Sequence, residues 1–147
     1  MAHKEPTRNN YTDGYFTELP RPERLIDYEL GATYADKRWH VGANLYWMNY
    51  RNQLVLTGEL NEIGEPVSAN VAKSYRAGVE LQGGFSLPCG VEWKGNVTLS
   101  RNRIRDFKET IYGYDDDWNE LPAAVIDHGD THIAFSPEVI ANSNLSY

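Results

Sequence analysis

Apolar side chains recur at every second position through most of this chain, a period that a half-buried β-strand requires and an amphipathic helix cannot use. Between Trp39 and Trp47 the odd positions carry Trp39, Val41, Ala43, Leu45 and Trp47, and the even ones His40, Gly42, Asn44 and Tyr46. Tyr75, Ala77, Val79, Leu81, Gly83, Phe85 and Leu87 likewise oppose Arg76, Gly78, Glu80, Gln82, Gly84 and Ser86. A third stretch sets Val91, Trp93, Gly95, Val97 and Leu99 against Glu92, Lys94, Asn96, Thr98 and Ser100. Weaker copies run from Ile26 to Tyr34 and from Val139 to Tyr147. No segment carries a helical period, so the chain reads as all-β.

Turn signals then order the strands. A two-residue turn at Asp36-Lys37 would pair Tyr34 with Trp39, Ala32 with Val41, Leu30 with Ala43, Tyr28 with Leu45 and Ile26 with Trp47, apolar always meeting apolar. A three-residue turn at Pro88-Cys89-Gly90 would pair Leu87 with Val91, Phe85 with Trp93, Gly83 with Gly95, Leu81 with Val97 and Val79 with Leu99. A one-residue slip would send either apolar set to the other face, so both hairpins are constrained. Both turns fall on one edge of the sheet. The opposite edge is expected to carry long connections, over residues 7–24, 58–70 and 107–136. The architecture that follows is an antiparallel up-and-down meander of about five to six strands, each of roughly ten residues.

Such a sheet is either a portion of a transmembrane β-barrel, apolar face outward, or a soluble sandwich or barrel with that face turned in. Period two alone does not say which face is wet. Aromatic placement bears on the choice. Tyr34, Trp39, Phe85 and Trp93 lie on the apolar face beside the short turns, and Tyr28, Trp47 and Tyr75 lie on it toward the long connections. Rings at both borders match interfacial girdles, where an amphipathic ring sits between hydrocarbon and water. Ten steps from Tyr75 to Phe85, at about 3.4 Å each and tilted by roughly 40°, rise about 25 Å, the height of an outer-membrane apolar band. A mean hydropathy of −0.59 does not oppose this, because an alternating strand averages its apolar half against its polar half. It does exclude a spanning helix, which needs about 20 consecutive apolar residues; runs such as Ala123–Ile126 fall far short. A net charge of −7 with no dense Lys/Arg cluster in sequence excludes a nucleic-acid partner.

Particular stretches carry a resemblance. Ala2-His3-Lys4-Glu5-Pro6-Thr7-Arg8 with Pro22-Glu23-Arg24, the run Leu45 to Leu54, Ser74-Tyr75-Arg76-Ala77-Gly78-Val79-Glu80 and Ser136-Pro137-Glu138-Val139-Ile140-Ala141-Asn142 resemble the carboxy-terminal part of the barrel of TonB-dependent outer-membrane receptors, those of the Bacteroides group above all. The resemblance implies a barrel of about 22 strands around a plug. Residues 1–147 would then be a fragment of that barrel domain, with the plug absent. It implies active uptake of a scarce nutrient, an iron chelate, cobalamin, haem or glycan, across the outer membrane of a Gram-negative bacterium. Implied partners are outer-membrane lipid and lipopolysaccharide, the ligand, and the TonB energy-coupling complex through the plug. No catalytic role and no cofactor follow. A soluble all-β carbohydrate-binding or adhesive module is the alternative from another class.

Several residues stand out against this frame. Asp27, Glu29, Asn44, Arg76, Glu80, Gln82, Lys94 and Asn96 would line the lumen. The stretch with Tyr112, Tyr114, Asp115, Asp116, Asp117 and Trp118 combines rings with carboxylates and could stack on and hydrogen-bond a sugar or chelate, although the spacing of a calcium loop is missing. His128 and His132 stand four apart, a zinc spacing only on a helix, and no metal is expected. Arg101, Arg103 and Arg105 share one strand face above the apolar band and could meet anionic lipopolysaccharide. Asn96-Val-Thr98 reads as a chance glycosylation triplet, and Cys89 as an inert turn residue.

Overall fold

The computed structural model describes residues 1–12, 19–61, 63–111, 115, 119, 121, 122 and 124–147. Seven strand segments among them form one antiparallel sheet: β1 (Ala2–Lys4), β2 (Glu23–Ala35), β3 (Trp39–Leu60), β4 (Pro66–Ser86), β5 (Glu92–Ile111), β6 (Ala124–His132) and β7 (Val139–Ser146). The order is β1-β2-β3-β4-β5-β6, with β7 also on β5. Sequential neighbours pair from β1 to β6, which is the expected meander.

β6 and β7 are two pieces of one wall position. β6 pairs with the upper half of β5, from Arg103–His132 to Ile111–Ala124, and β7 with the lower half, from Leu99–Val139 to Glu92–Ser146. Residues 133–138 interrupt them like a large bulge. Ser100 N–H donates to the Glu138 carbonyl at 2.7 Å, and Ile133 N–H to that of Asn102 at 3.4 Å, so the ladder runs on past the break. The seven segments thus fill six positions. The sheet remains open, with no strand of the described residues closing it into a barrel.

The second hairpin has the register expected of it. Phe85 pairs with Trp93, Leu81 with Val97 and Val79 with Leu99, and Leu87 N–H donates to the Val91 carbonyl at 2.8 Å. The first does not. Tyr34 pairs with Val41, Ala32 with Ala43, Leu30 with Leu45 and Tyr28 with Trp47, two residues away from the expected partners. The turn sits one residue later, around Lys37-Arg38, closed by Asp36 N–H to the Trp39 carbonyl at 2.8 Å. The Asp36 carboxylate accepts from Lys37 N–H at 2.7 Å. A shift of two keeps every side chain on its face, so alternation cannot detect it.

Two further expectations are corrected. Four strands are longer than ten residues: β2 has 13, and β3, β4 and β5 have 22, 21 and 20. The connection expected over 58–70 shrinks to 61–65, where the Asn61 side chain accepts from Ile63 and Glu65 N–H at 3.1 and 2.8 Å and Gly64 supplies a φ of 81°. That expected over 107–136 contains the end of β5 and all of β6. The segment before β2 also holds one helical turn, α1 (Arg8–Thr12), too short to show a period; Asn10 Oδ1 accepts from Thr7 N–H at 2.8 Å.

Little is buried. Val55, Val71, Ile104 and Ile133, with Phe107 packed against them, form the core, all at the long-strand end. Lower down, the apolar face is open: Leu30 is 72% exposed, Leu45 51% and Leu99 49%. A soluble sheet would need a second layer over these side chains, and none of the described residues supplies one.

Candidate functional site

The polar face below the core is built in rows, each running across the strands through register partners. One row is Gly31, Asn44, Glu80 and Thr98; the next is Thr33, Gly42, Gln82, Asn96 and Asn142; a third is Asp27, Met48, Arg76 and Asn102. Glu29 stands opposite Tyr46, and Lys94 lies toward the short turns opposite Gly84, 3.7 Å from Glu92. Asp27, Glu29, Asn44, Arg76, Glu80, Gln82, Lys94 and Asn96 share this face of the sheet. Asn44 donates to the Glu80 carboxylate at 3.4 Å, while Asp27 Oδ1 is buried without a hydrogen-bond partner.

Glycines shape this floor. A Cβ on Gly42 would come within 2.9 Å of the Gln82 amide and 3.2 Å of Thr33, and one on Gly84 within 2.5 Å of the His40 ring. Long side chains therefore lie down across glycines of the next strand, leaving a hollow of about 530 Å³ lined by Gly31, Thr33, Gly42, Asn44, Gln82 and Asn96 among others. Amides, hydroxyls and one carboxylate meet there. This suits a wetted recognition surface.

On the other face the rings assemble into two rows. Along the short-turn border Tyr34 and Trp39 lie 4.9 Å apart, Trp39 pairs with Phe85, and Phe85 stacks on Trp93 at 5.6 Å. Trp93 Nε1 donates to Ser143 Oγ at 2.9 Å. At the long-strand border Tyr28 pairs with Trp47, and Trp47 stacks on Tyr75 at 5.4 Å. The guanidinium of Arg105 sits 4.8 Å above the Tyr75 ring.

Above this border the alternation of burial changes phase, which sequence reasoning missed. On β3 the half-buried residues are Asn44, Tyr46, Met48 and Tyr50, then Gln53 and Val55 become the buried ones. The switch falls at Asn52, whose φ is 52°. On β4 burial passes from Val71 to Ser74, and on β5 from Ile104 to Phe107 across Asp106, φ 50°. Asn and Asp enter this left-handed region most readily among residues with a side chain. Ser74 donates to Gln53 at 2.5 Å and stands opposite Ile104, which puts the core on the polar face rather than the apolar one.

Residues 133–138 strap that level. Arg76 donates to Ser136 Oγ at 2.8 Å, and Ser100 Oγ to the Pro137 carbonyl at 3.1 Å. Arg103 binds Glu138 at 2.7 Å and donates to His132 Nδ1 at 2.8 Å. The Arg103 hydrogen bond holds the Glu138 carboxyl below its usual range, against a smaller opposing effect of desolvation. His128 instead meets Glu109 at 2.8 Å, so the two histidines do not share a site, and no metal-ligand cluster occurs among the described residues.

Of the residues expected to contact ligand, Tyr112, Tyr114, Asp116, Asp117 and Trp118 lie outside the described residues. Asp115 is placed: its carboxylate accepts from Asn119 N–H at 2.8 Å. Asn96, in mid-strand, and Cys89, exposed in its turn, hold the positions expected of them.

Residues 4–147 match the family model described as TonB dependent receptor-like, beta-barrel. No curated protein and no solved structure matches the chain. With that match running over nearly the whole of a two-faced, open meander, the chain belongs to the β-barrel family of TonB-dependent receptors, the receptors and transporters of the Gram-negative outer membrane.

Proposed function

We propose that this chain is a portion of the wall of a receptor that takes up a scarce nutrient, an iron chelate, cobalamin, haem or glycan, with TonB acting through a plug that residues 1–147 do not include. The observation that carries the reading is an uncovered apolar face, bordered above and below by aromatic rows, on a sheet whose other face carries polar side chains below the core. Tyr28, Trp47 and Tyr75 form the outer girdle in this reading, and Tyr34, Trp39, Phe85 and Trp93 the inner one. Asp27, Glu29, Asn44, Arg76, Glu80, Gln82, Lys94 and Asn96 face the lumen and the plug. In this reading Tyr112, Tyr114, Asp115, Asp116, Asp117 and Trp118 contact the ligand.

The test has two arms. In a Cys89→Ser background, a fluorophore on Leu45→Cys is quenched by brominated lipid and one on Gln82→Cys is not. Equal quenching at both positions sinks the membrane orientation. In cells, accumulation of radiolabelled ligand from one of the four classes must collapse with the proton gradient. Gradient-independent accumulation of all four removes the transport role.

A further inference from the structure

The sheet does not stay continuous to its long-strand end. The ladder between β2 and β3 stops at Arg24–Arg51, and that between β4 and β5 at Ser74–Ile104. Beyond these pairs β3 and β4 go on together through Gln53–Val71 and Val55–Ala69 to Leu56–Ser68, while β5 goes on with β6 from Phe107–Gly129 to Ile111–Ala124. Two hairpins therefore rise from one wall, and among the described residues no strand pairing joins 66–73 to 105–111. A two-stranded hairpin is marginal on its own, so its other contacts decide whether it moves.

The level at which they part is marked in the backbone. Ala72 on β4 and Asp106 on β5 each lie two residues past the Ser74–Ile104 pair, and Asn52 on β3 stands at the level of Ala72, between the Arg51–Lys73 and Gln53–Val71 pairs. Asn52 and Asp106 are two of the three non-glycine residues at positive φ among the described ones, and Asn52 and Ala72 are skipped by the ladder. Such a break, at residue types that tolerate more than one backbone region, absorbs a change of φ and ψ at least cost. The contacts that hold the β3–β4 hairpin are small. Val55 and Val71 pack against Ile104, Ile133 and Phe107, and Ser74 reaches Gln53 across the break. The Asn70 amide accepts from Arg21 N–H at 2.7 Å and donates to the Arg21 carbonyl at 3.0 Å and to the Asn52 carbonyl at 2.6 Å. The β5–β6 hairpin is anchored differently, through the strap and its Arg103–Glu138 contact.

We propose that residues 53–71 are a flap that swings as one unit about a hinge at Asn52 and Ala72, parting from β5 along the seam above Ser74–Ile104. In the closed arrangement Val55 and Val71 rest on Ile104, Ile133 and Phe107. In the open one that latch separates, and the seam gives side access to the polar face. Asn70 sets the resting position, because its one amide bonds both the chain entering β2 and the carbonyl at the hinge. The hinge is a property of the sheet; only its place at the outer mouth rests on the membrane orientation proposed above.

The experiment measures distances between paired spin labels on the protein in lipid nanodiscs, in a Cys89→Ser background. Labels on Glu65→Cys, in the turn of the flap, and Arg101→Cys, on β5 below the seam, report the flap. Labels on Val41→Cys and Arg101→Cys report the wall. The flap pair is expected to show two distances and the wall pair one. Val71→Ala, which trims the latch, raises the open fraction about tenfold, and Asn70→Ala, which removes the clip, about fivefold; neither moves the wall pair. Exchange of the amides that pair β3 with β4 over 53–56 and 68–71 stays slow in both variants, because the hairpin swings without fraying. A flap pair as narrow as the wall pair in the parent and in both variants overturns the hinge. So does a wall pair that broadens with it, or amide exchange that quickens as the second distance grows. Brominated-lipid quenching at Leu45→Cys in the same discs reports orientation separately, so a hinge that fails while quenching is intact fails alone.

Discussion

The Tyr46 phenol lies flat across Gly78, its directly opposed neighbour on β4: a Cβ on that glycine would come within 2.6 Å of Tyr46 Oη and equally close to the Leu99 carbonyl on β5. The glycine is required for space, not for an unusual backbone angle. It lets three strands meet with a ring laid over the middle one, as a cross-strand pair in which one member supplies all of the volume.

Gly78→Ala is therefore expected to destabilise the sheet by about 1–3 kcal/mol through overpacking. Adding Tyr46→Ala should return only part of the loss, since the Leu99 carbonyl stays in place. Denaturant titration of the refolded protein in micelles measures both; full recovery in the double variant would contradict the role given to Leu99.

Leu45 stands in the middle of an apolar row with Leu30, Val79 and Leu99. Leu45→Arg should cost about 2–4 kcal/mol of stability in lipid vesicles, the penalty of a cation near the bilayer midplane. Thr98→Lys, on the polar face, should cost less than half of that. Equal costs would mean that both faces are wet.

Asn52 holds a φ of 52° at the point where burial changes phase. Asn52→Gly should be nearly neutral, whereas Asn52→Val should lose about 1–2 kcal/mol, because a β-branched side chain resists the left-handed region. Hydrogen exchange at Gln53 and Val55 should quicken in the valine variant and stay unchanged at Leu45.

The Arg103–Glu138 contact ties the strap of residues 133–138 to β5. The Glu138 pKa lies below its unfolded value, so the contact contributes stability that is present above about pH 4.5 and is lost as pH falls through the lower, folded value. Proteolysis within the strap should accelerate in that acidic window. In Glu138→Gln it should be fast at neutral pH already and respond less to acid.

Much of the site was legible because it depends on parity. The members of the two aromatic rows and of the polar face were assigned to their faces by odd or even position, and register differences of two leave such assignments intact. Who touches whom was not legible in the first hairpin: whether Trp39 meets Tyr34 or Val41 is decided by one residue of turn placement, and both choices pair apolar with apolar.

The amino-acid sequence by itself determined that this chain makes a two-faced antiparallel meander with rings at both borders, because period two and hairpin turns act over a few residues at a time. Only the tertiary structure decided the rest. The inversion at Asn52 and Asp106 turns on the sign of a backbone angle that residue type permits but does not dictate. The joining of β6 and β7 along β5, and the meeting of Arg24, Arg51 and Lys73 in one row, come from pairing between segments far apart in the chain, where each side chain's electrostatic surroundings are fixed by its neighbours in the sheet.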